Sequence, residues 1–333
     1  MELKGKRILV TGATGFIGGH LVERLAQMEG ARVTALSRSA EKLAVLAPIA
    51  EQLVQGDVTD PAAVRRAVDG CEIVFHCAGL MHDGAADLDR FMRVNVDGTR
   101  NVLEAALDLK VERAVHLSSI AVYGIDPADG TNEKAPYRSC GMPYFDSKIR
   151  AETVAWSLAK RGLPLVVIRP ANVYGPRSSF WTLGLLMMIK AGEIQLIGGG
   201  RGASNHLYVG NLIDAMILAA QNDSVMGESF IVTDGQRTPW SEFLGYYVRM
   251  LGLPELPSIS KEDAYLEAAR LKREARPGDP PPALSDEAIR LWTQTGVFDI
   301  TATRQRLGYA PRVPLNEGMK ITEQWLRESG HLR

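Results

Sequence analysis

Tyr144 and Lys148 stand four residues apart in PYFDSK (143–148), after a proline and ahead of the apolar-periodic run IRAETVAWSLA. On a helix that spacing puts both side chains on one face. A free tyrosine, with a pKa near 10, is a poor proton-transfer group at neutral pH. An ammonium about 4 Å away, at an effective dielectric of about 20, is worth roughly 4 kcal/mol, or about three pKa units. The pairing predicts a phenol drawn toward neutrality, where acid/base catalysis works best. The same spacing also describes a plain helix start with a surface lysine, and the rest of the chain decides between the two. A second chemical motif is TGATGFIG (11–18), with Gly12, Gly15 and Gly18 between a strand-like run and a helical one. Glycines there permit a tight turn, close backbone approach to a pyrophosphate and tight helix–sheet packing. The helix N-terminus offers free N–H groups to the anion. In that strand–turn–helix context the loop reads as a dinucleotide site.

The elements that must position these groups alternate. RILVTG (7–12), ARVTALSR (31–38), QLVQGD (52–57), EIVFHCAG (72–79), RAVHLSSI (113–120) and LPLVVIRP (163–170) read as strands. Helical patterns separate them, including AEKLAVLA, a helix capped by Asp60 with Pro61 at its first position, and one long helix over LDRFMRVNVDGTRNVLEAALDL. Such alternation predicts an α/β fold with a doubly wound parallel sheet covered on both faces. After residue 175 the pattern changes to an apolar helix (180–190), the cluster GGGRG (198–202), a helix over LYVGNLIDAMILAAQ (207–221), a strand in ESFIVTDG (228–235), a loop at 275–284 and a small mixed cap. The helix at 207–221 and the strand at 228–235 can rejoin the main sheet. The net charge of -1 gives no field for nucleic acid or an anionic membrane. No apolar run approaches the roughly 18 residues of a membrane span, and no signal-peptide core opens the chain. Cys71, Cys77 and Cys140 have neither zinc-site spacing nor a disulfide framework, so no metal is expected and a cytoplasmic location is.

The glycine loop, the strand end Ser118-Ser119 and the later Tyr144 and Lys148 together resemble the extended short-chain dehydrogenase/reductase superfamily. Ser119 precedes Tyr144 by 25 positions, the separation seen in extended members. RPANVYGP (169–176) and LYVGNL (207–212) also match, so the resemblance covers nearly the whole chain. It implies a Rossmann domain at 1–175 plus about 206–237, and a smaller, largely C-terminal substrate-binding region at about 176–205 plus 238–333. It also implies an enzyme in which Tyr144 shuttles the proton, Ser119 orients the substrate oxygen, Lys148 tunes the tyrosine and holds the nicotinamide ribose, and Asn95 supports the network. The cofactor contacts implied are Thr14, Phe16 and Ile17 beside the three glycines, Asp57 and Val58 at the adenine, and Cys77, Ala78 and Gly79 under the ribose. Ser118, Pro170 and Val173 complete that set.

Family members that use NAD usually carry an acidic residue where this chain has Ser37, followed by Arg38 and Ser39. A carboxylate repels a 2′-phosphate and an arginine binds it, so NADP is expected over NAD. Ser119-Ile120 stands where the related dehydratases carry an Asp-Glu pair, which argues against elimination of water. The wording SSIAVYG and LYVGNL is most similar to the 3β-hydroxysteroid dehydrogenase-like group. Phe180, Trp181, Leu185 and Met188 suit an apolar substrate and equally suit interdomain core or a dimer face. Met81, His82 and Asn172 fall at the expected substrate mouth. Ser204 stands where nucleotide-sugar enzymes often place a phosphate-gripping arginine, with Arg201 and Arg177 as other anion contacts. The expectation is a hydride-transferring dehydrogenase or reductase acting on a mainly apolar alcohol or ketone, sterol-like or 3-keto acyl in type, as a homodimer. The alternatives are a nucleotide-sugar epimerase of the same superfamily and a non-catalytic dinucleotide-sensing protein.

Overall fold

The computed structural model describes residues 1–27, 29–81, 87–276 and 284–332. Seven strands form one parallel sheet: β1 (Arg7–Thr11), β2 (Arg32–Ser37), β3 (Gln52–Gln55), β4 (Ile73–His76), β5 (Arg113–Leu117), β6 (Leu165–Pro170) and Ser229–Val232. From one edge the order is β3-β2-β1-β4-β5-β6 and then Ser229–Val232, all parallel. The order reverses between β1 and β4, and at such a switch point the carboxyl strand ends open a crevice for ligands.

Strand alternation builds the two cores. Ile8, Val10, Ile73, Phe75, Val166 and Ile168 face one buried cluster, while Leu9, Val74, Leu165 and Val167 face the other. That is the period of two expected of a sheet covered on both sides. The helices Pro61–Val68, Gly98–Asp108 and Pro143–Ala159 pack against one another on the second face, and Phe16–Gln27 lies with Val209–Gln221 on the first. The first cluster runs on into Trp240, Phe243, Leu315 and Met319, so the C-terminal segment shares the core of the sheet.

Three elements differ from the sequence expectation. The long helix before β5 is broken: Leu88–Phe91 and Gly98–Asp108 flank a π-helical turn, Met92–Asp97. Residues 207 and 208, read as the start of a helix, belong to the short strand His206–Tyr208, whose backbone is taken up by pairing with Asn172–Tyr174, and the helix starts only at Val209. The apolar stretch at 180–190 is a π-helical turn, Ser179–Gly184, followed by the helix Leu185–Lys190. The loop expected at 275–284 falls mostly outside the described residues. Among the described residues no helix is long and apolar enough to cross a membrane.

Candidate active site

The glycine loop joins β1 to the helix Phe16–Gln27 and is shaped by close approach. A Cβ on Gly12, whose φ is 65°, would lie 2.9 Å from the Ala78 backbone, and one on Gly18 would lie 2.2 Å from the Gly12 carbonyl oxygen. Only hydrogen fits at either place, which leaves the backbone of the first helical turn open for a pyrophosphate. Thr14 and Ser37 meet hydroxyl to hydroxyl at 2.5 Å. With Arg38, Ser39 and Lys42 they line an open pocket of about 360 Å³ at the end of β2. Among the described residues no carboxylate lines it. Ser39 caps the short helix Ala40–Ala44 by accepting from the Lys42 backbone N–H. Lys42 was not singled out in the sequence; the capping serine three positions before it is the signal that turns this helix start toward the pocket.

Asp57 divides its carboxylate. Oδ1 accepts from the backbone and hydroxyl of Thr59, and Oδ2 lies 3.8 Å from Arg38. Val58 is buried against Gly98, where a Cβ would come within 2.7 Å. At the end of β4, Ala78 donates its N–H to Thr11 Oγ1, and burial pushes the neighbouring Cys77 thiol up to about 12. Gly79 lies between two site residues, its Cβ direction 3.4 Å from Asn95 Oδ1 and 3.8 Å from Lys148 Nζ.

Ser119 lies two residues past β5 and caps the 3-10 turn Ile120–Tyr123, accepting from the Ala121 N–H. Its hydroxyl lies near enough to the Tyr144 phenol to favour the phenol's charged form. Pro143 opens the helix Pro143–Ala159, so Tyr144 lies in its first turn and Lys148 one turn on. Phe91 packs edge-on to the Tyr144 ring at 6.3 Å between centroids. Lys148 is buried, donates to the Leu117 carbonyl at 2.9 Å, and is drawn down to about 8 because burial disfavours its charge. The structure corrects one expectation here. Burial raises the Tyr144 phenol above its ordinary value, with the nearby Ser119 hydroxyl acting against it. Desolvation sets the direction, and Lys148 donates its Nζ to the Leu117 carbonyl.

Asn95 sits in the π-helical turn. Its amide brackets Leu80, accepting the N–H at 2.7 Å and donating to the carbonyl at 2.9 Å, and also donates to Ser147 Oγ at 2.9 Å. Ser118, expected at the cofactor, turns its hydroxyl the other way, to Glu152. Glu152, two turns beyond Tyr144, is fully buried and paired with Arg169 of β6. Tyr137 and Trp156 also donate to it, at 2.8 and 3.0 Å. Charged residues are rarely this buried unless paired, and the spacing 144, 148, 152 was the one sequence signal that the acid shares the catalytic face.

The expected substrate residues separate. Met81 and Phe180 are exposed. Trp181 stacks on Trp240 at 5.6 Å, and Met188 packs partly buried against the core. Leu185 is 2% exposed and belongs to the core, because the helix Leu185–Lys190 turns that face inward. His82 lies outside the described residues. Asn172 is almost buried and donates to the Ser204 carbonyl at 2.7 Å, so its amide nitrogen is engaged within the fold. Pro170 ends β6, and Val173 is buried beside it. Ser204 is fully buried, bonded to His206 Nδ1 and the Thr238 carbonyl. Arg177 is held by Glu23 at 2.7 Å, and Arg201 is exposed. Among the described residues no cluster of His, Cys, Asp and Glu could hold a metal.

Residues 8–232 match the family described as NAD dependent epimerase/dehydratase family. Over 328 residues, 96% of each chain, the protein is 30% identical to 4-hydroxy-2-methyl-3-oxo-4-farnesyl-3,4-dihydroquinoline-1-oxide ketoreductase of Stigmatella aurantiaca. It is 26% identical to sterol-4-alpha-carboxylate 3-dehydrogenase, decarboxylating, of Candida albicans, over 96% of this chain and 97% of the other. Among solved structures, MoeE5 in complex with UDP-glucose and NAD superposes with a TM-score of 0.77 at 25% identity, covering 97% of this chain and 99% of that one.

Proposed function

The chain belongs to the NAD-dependent epimerase/dehydratase family, and from that premise we propose that it is a reductase that uses NADPH to convert a mainly apolar ketone to its alcohol. Its relatives are dehydrogenases and reductases acting on hydroxyl and keto groups, and the chain is an NAD(P)-dependent oxidoreductase. The observation that carries the reading is the shared site: Ser119 just past β5, Tyr144 in the first turn of the helix Pro143–Ala159, and Lys148 one turn on with its Nζ on the Leu117 carbonyl. A phenol that keeps its proton at neutral pH can give it to a carbonyl oxygen as hydride reaches the carbon.

The residues fit a dinucleotide: Gly12, Gly15 and Gly18 leave room for the pyrophosphate, and Thr14, Phe16 and Ile17 open the helix above it. The hydroxyls and cations of Thr14, Ser37, Arg38, Ser39 and Lys42 suit a 2′-phosphate, which supports NADP. Asp57 and Val58 would face the adenine, and Cys77, Ala78 and Gly79 the ribose. When bound, the nicotinamide supplies the hydride. Ser119 would hold the substrate oxygen, Tyr144 would give it a proton, and Lys148, one helical turn beyond Tyr144, would hold the nicotinamide ribose. Asn95 and Gly79 fix the floor. Ser118 contributes through its backbone, its hydroxyl being committed to Glu152.

Met81 and Phe180 are apolar side chains left exposed, which supports a ring system or 3-keto acyl chain; the two named relatives act, by their names, on a farnesyl dihydroquinoline oxide and a sterol carboxylate. The reading carries with it the division into a dinucleotide-binding part, 1–175 with about 206–237, and a substrate-binding remainder. It also carries a homodimer in the cytoplasm. The test is NADPH consumption on a panel of ring ketones and 3-keto esters, with uridine and thymidine diphosphates as competitors. Reduction of a panel ketone without competition supports the reading. Micromolar diphosphate binding that disappears in Arg201→Ala, with no ketone turned over, moves the assignment to a nucleotide-sugar epimerase. Tight NADPH binding with no turnover of anything moves it to a sensor.

A further inference from the structure

We infer that His76, Thr99 and Ser147 are positioning residues that hold the acid/base tyrosine through one buried hydrogen-bonded line beginning at the cofactor loop. The inference rests on the reading that Tyr144 exchanges the proton. The line can be followed donor by donor. The Ala78 N–H donates to Thr11 Oγ1 at 3.1 Å, and the Thr11 hydroxyl meets His76 Nδ1 at 2.8 Å. Across the ring, His76 Nε2 lies 3.0 Å from Thr99 Oγ1. The Thr99 hydroxyl spends its proton on the Asn95 carbonyl at 2.6 Å, so toward the ring it accepts. Nε2 therefore carries the imidazole proton and Nδ1 accepts from Thr11. Asn95 Nδ2 donates to Ser147 Oγ at 2.9 Å, and the Ser147 hydroxyl donates to the carbonyl of Tyr144 at 2.7 Å.

The residues between its ends are buried, Thr11 and Ser147 at 0%, His76 and Thr99 at 1% and Asn95 at 2% exposure, and the end bonds at Ala78 and Tyr144 are partly buried. A satisfied network in a low-dielectric interior fixes geometry, whereas apolar side chains would fill the same space without direction. Thr11 and His76 are register partners at the last positions of β1 and β4, so the line crosses the sheet at the switch point. His116, the register partner of His76 on β5, is equally buried, yet neither of its ring nitrogens has a partner among the described residues. Burying a histidine in this sheet does not by itself create a network. The line also explains the π-helical turn at Met92–Asp97, whose wide pitch brings the Asn95 side chain to Leu80 and Ser147 while its carbonyl meets Thr99.

Thr99→Val removes the middle hydroxyl and keeps the shape, and Thr99→Ser keeps the hydroxyl. The measurement is peptide-resolved amide hydrogen exchange without added nucleotide. Exchange over 143–150 is expected to rise about tenfold in Thr99→Val, the protection one hydrogen bond supplies, and to return to the parent rate in Thr99→Ser. Ser147→Ala, which cuts the line next to the tyrosine, is expected to give the same local rise. On the panel ketone the parent reduces fastest, Thr99→Val lowers kcat and leaves the KM for NADPH within about twofold. Unchanged exchange over 143–150 in Thr99→Val overturns the inference. So does a rise of equal size along the whole chain, or one that Thr99→Ser fails to reverse. Tyr144→Phe tests the underlying reading separately: if turnover survives it, the proton comes from elsewhere, while the exchange result stands by itself.

Discussion

Tyr144 works by a different balance from the one its spacing suggests. The pair Tyr144 and Lys148 was legible because a helix of 3.6 residues per turn brings positions four apart together. Its electrostatics were not legible, because they depend on which carbonyl the lysine reaches and how much water the phenol loses. Tyr144→Phe is expected to lower kcat by about 10²–10⁴-fold while NADPH binding, followed by fluorescence, stays near the parent value. Near-normal turnover would remove Tyr144 from the proton step. At the other end of the site, Arg38→Ala forfeits a charge-assisted contact worth roughly 1.5–3 kcal/mol. NADPH affinity is then expected to fall by about 10–100-fold and NADH affinity to change little; equal losses for both would place Arg38 outside the 2′-phosphate site. Lys42→Ala is expected to weaken NADPH less, since its side chain is exposed and a mobile cation gains little in water.

At the scale of elements, the strands were legible because each alternates between two apolar faces, and the glycine loop because its spacing needs a strand before it and a helix after it. The π-helical turn was not, since MRVNVD has no breaker and its widened pitch answers to partners outside the turn: Thr99 just after it, and Leu80 and Ser147 farther off in sequence. Glu152 was hidden for a similar reason. An acid in mid-helix normally faces water, and only the placement of β6 brings Arg169 to it. This pair ties the catalytic helix to β6, to the Ser118 end of β5 and to the loop carrying Tyr137. Arg169→Met leaves a buried carboxylate without its counter-charge, though still hydrogen-bonded by Ser118, Tyr137 and Trp156, and is expected to cost about 3–5 kcal/mol in urea unfolding. The double variant Glu152→Gln/Arg169→Met is expected to cost less than the two singles combined, because neither charge is then stranded. Simple additivity would show that the two residues act independently.

The whole molecule buries more histidine than its sequence reveals, and this gives it an acid limit. His76, His116 and His206 are all within 2% of full burial. Burial holds His76 well below its ordinary value, His116 near about 3 and His206 near about 4. Each stays neutral in the fold at pH values where the unfolded chain, with a histidine pKa near 6.5, takes up a proton. Between about pH 6.5 and 4 the unfolded state therefore binds more protons, and stability is lost as pH falls. Asp234 acts in the opposite sense. Burial lifts it to about 7, so in the same window the fold holds a proton that the unfolded chain has released. Among these four groups, three histidines against one aspartate leave the unfolded chain about two protons ahead, a slope of roughly 2–3 kcal/mol per pH unit at its steepest, and His20, also lowered by burial, acts in the same sense. His116 isolates the effect, because it stacks on His76 at 5.3 Å and neither of its nitrogens is hydrogen-bonded among the described residues. His116→Phe keeps a flat ring and removes two unsatisfied polar atoms. It is expected to raise stability near pH 7 and to flatten the acid slope by about one proton, or about 1.4 kcal/mol per pH unit. Urea midpoints at pH 7, 6 and 5 for the parent and the variant check both parts. A parent equally stable at pH 5 and 7, or a variant with the parent's slope, would show that the buried imidazoles do not set the acid limit.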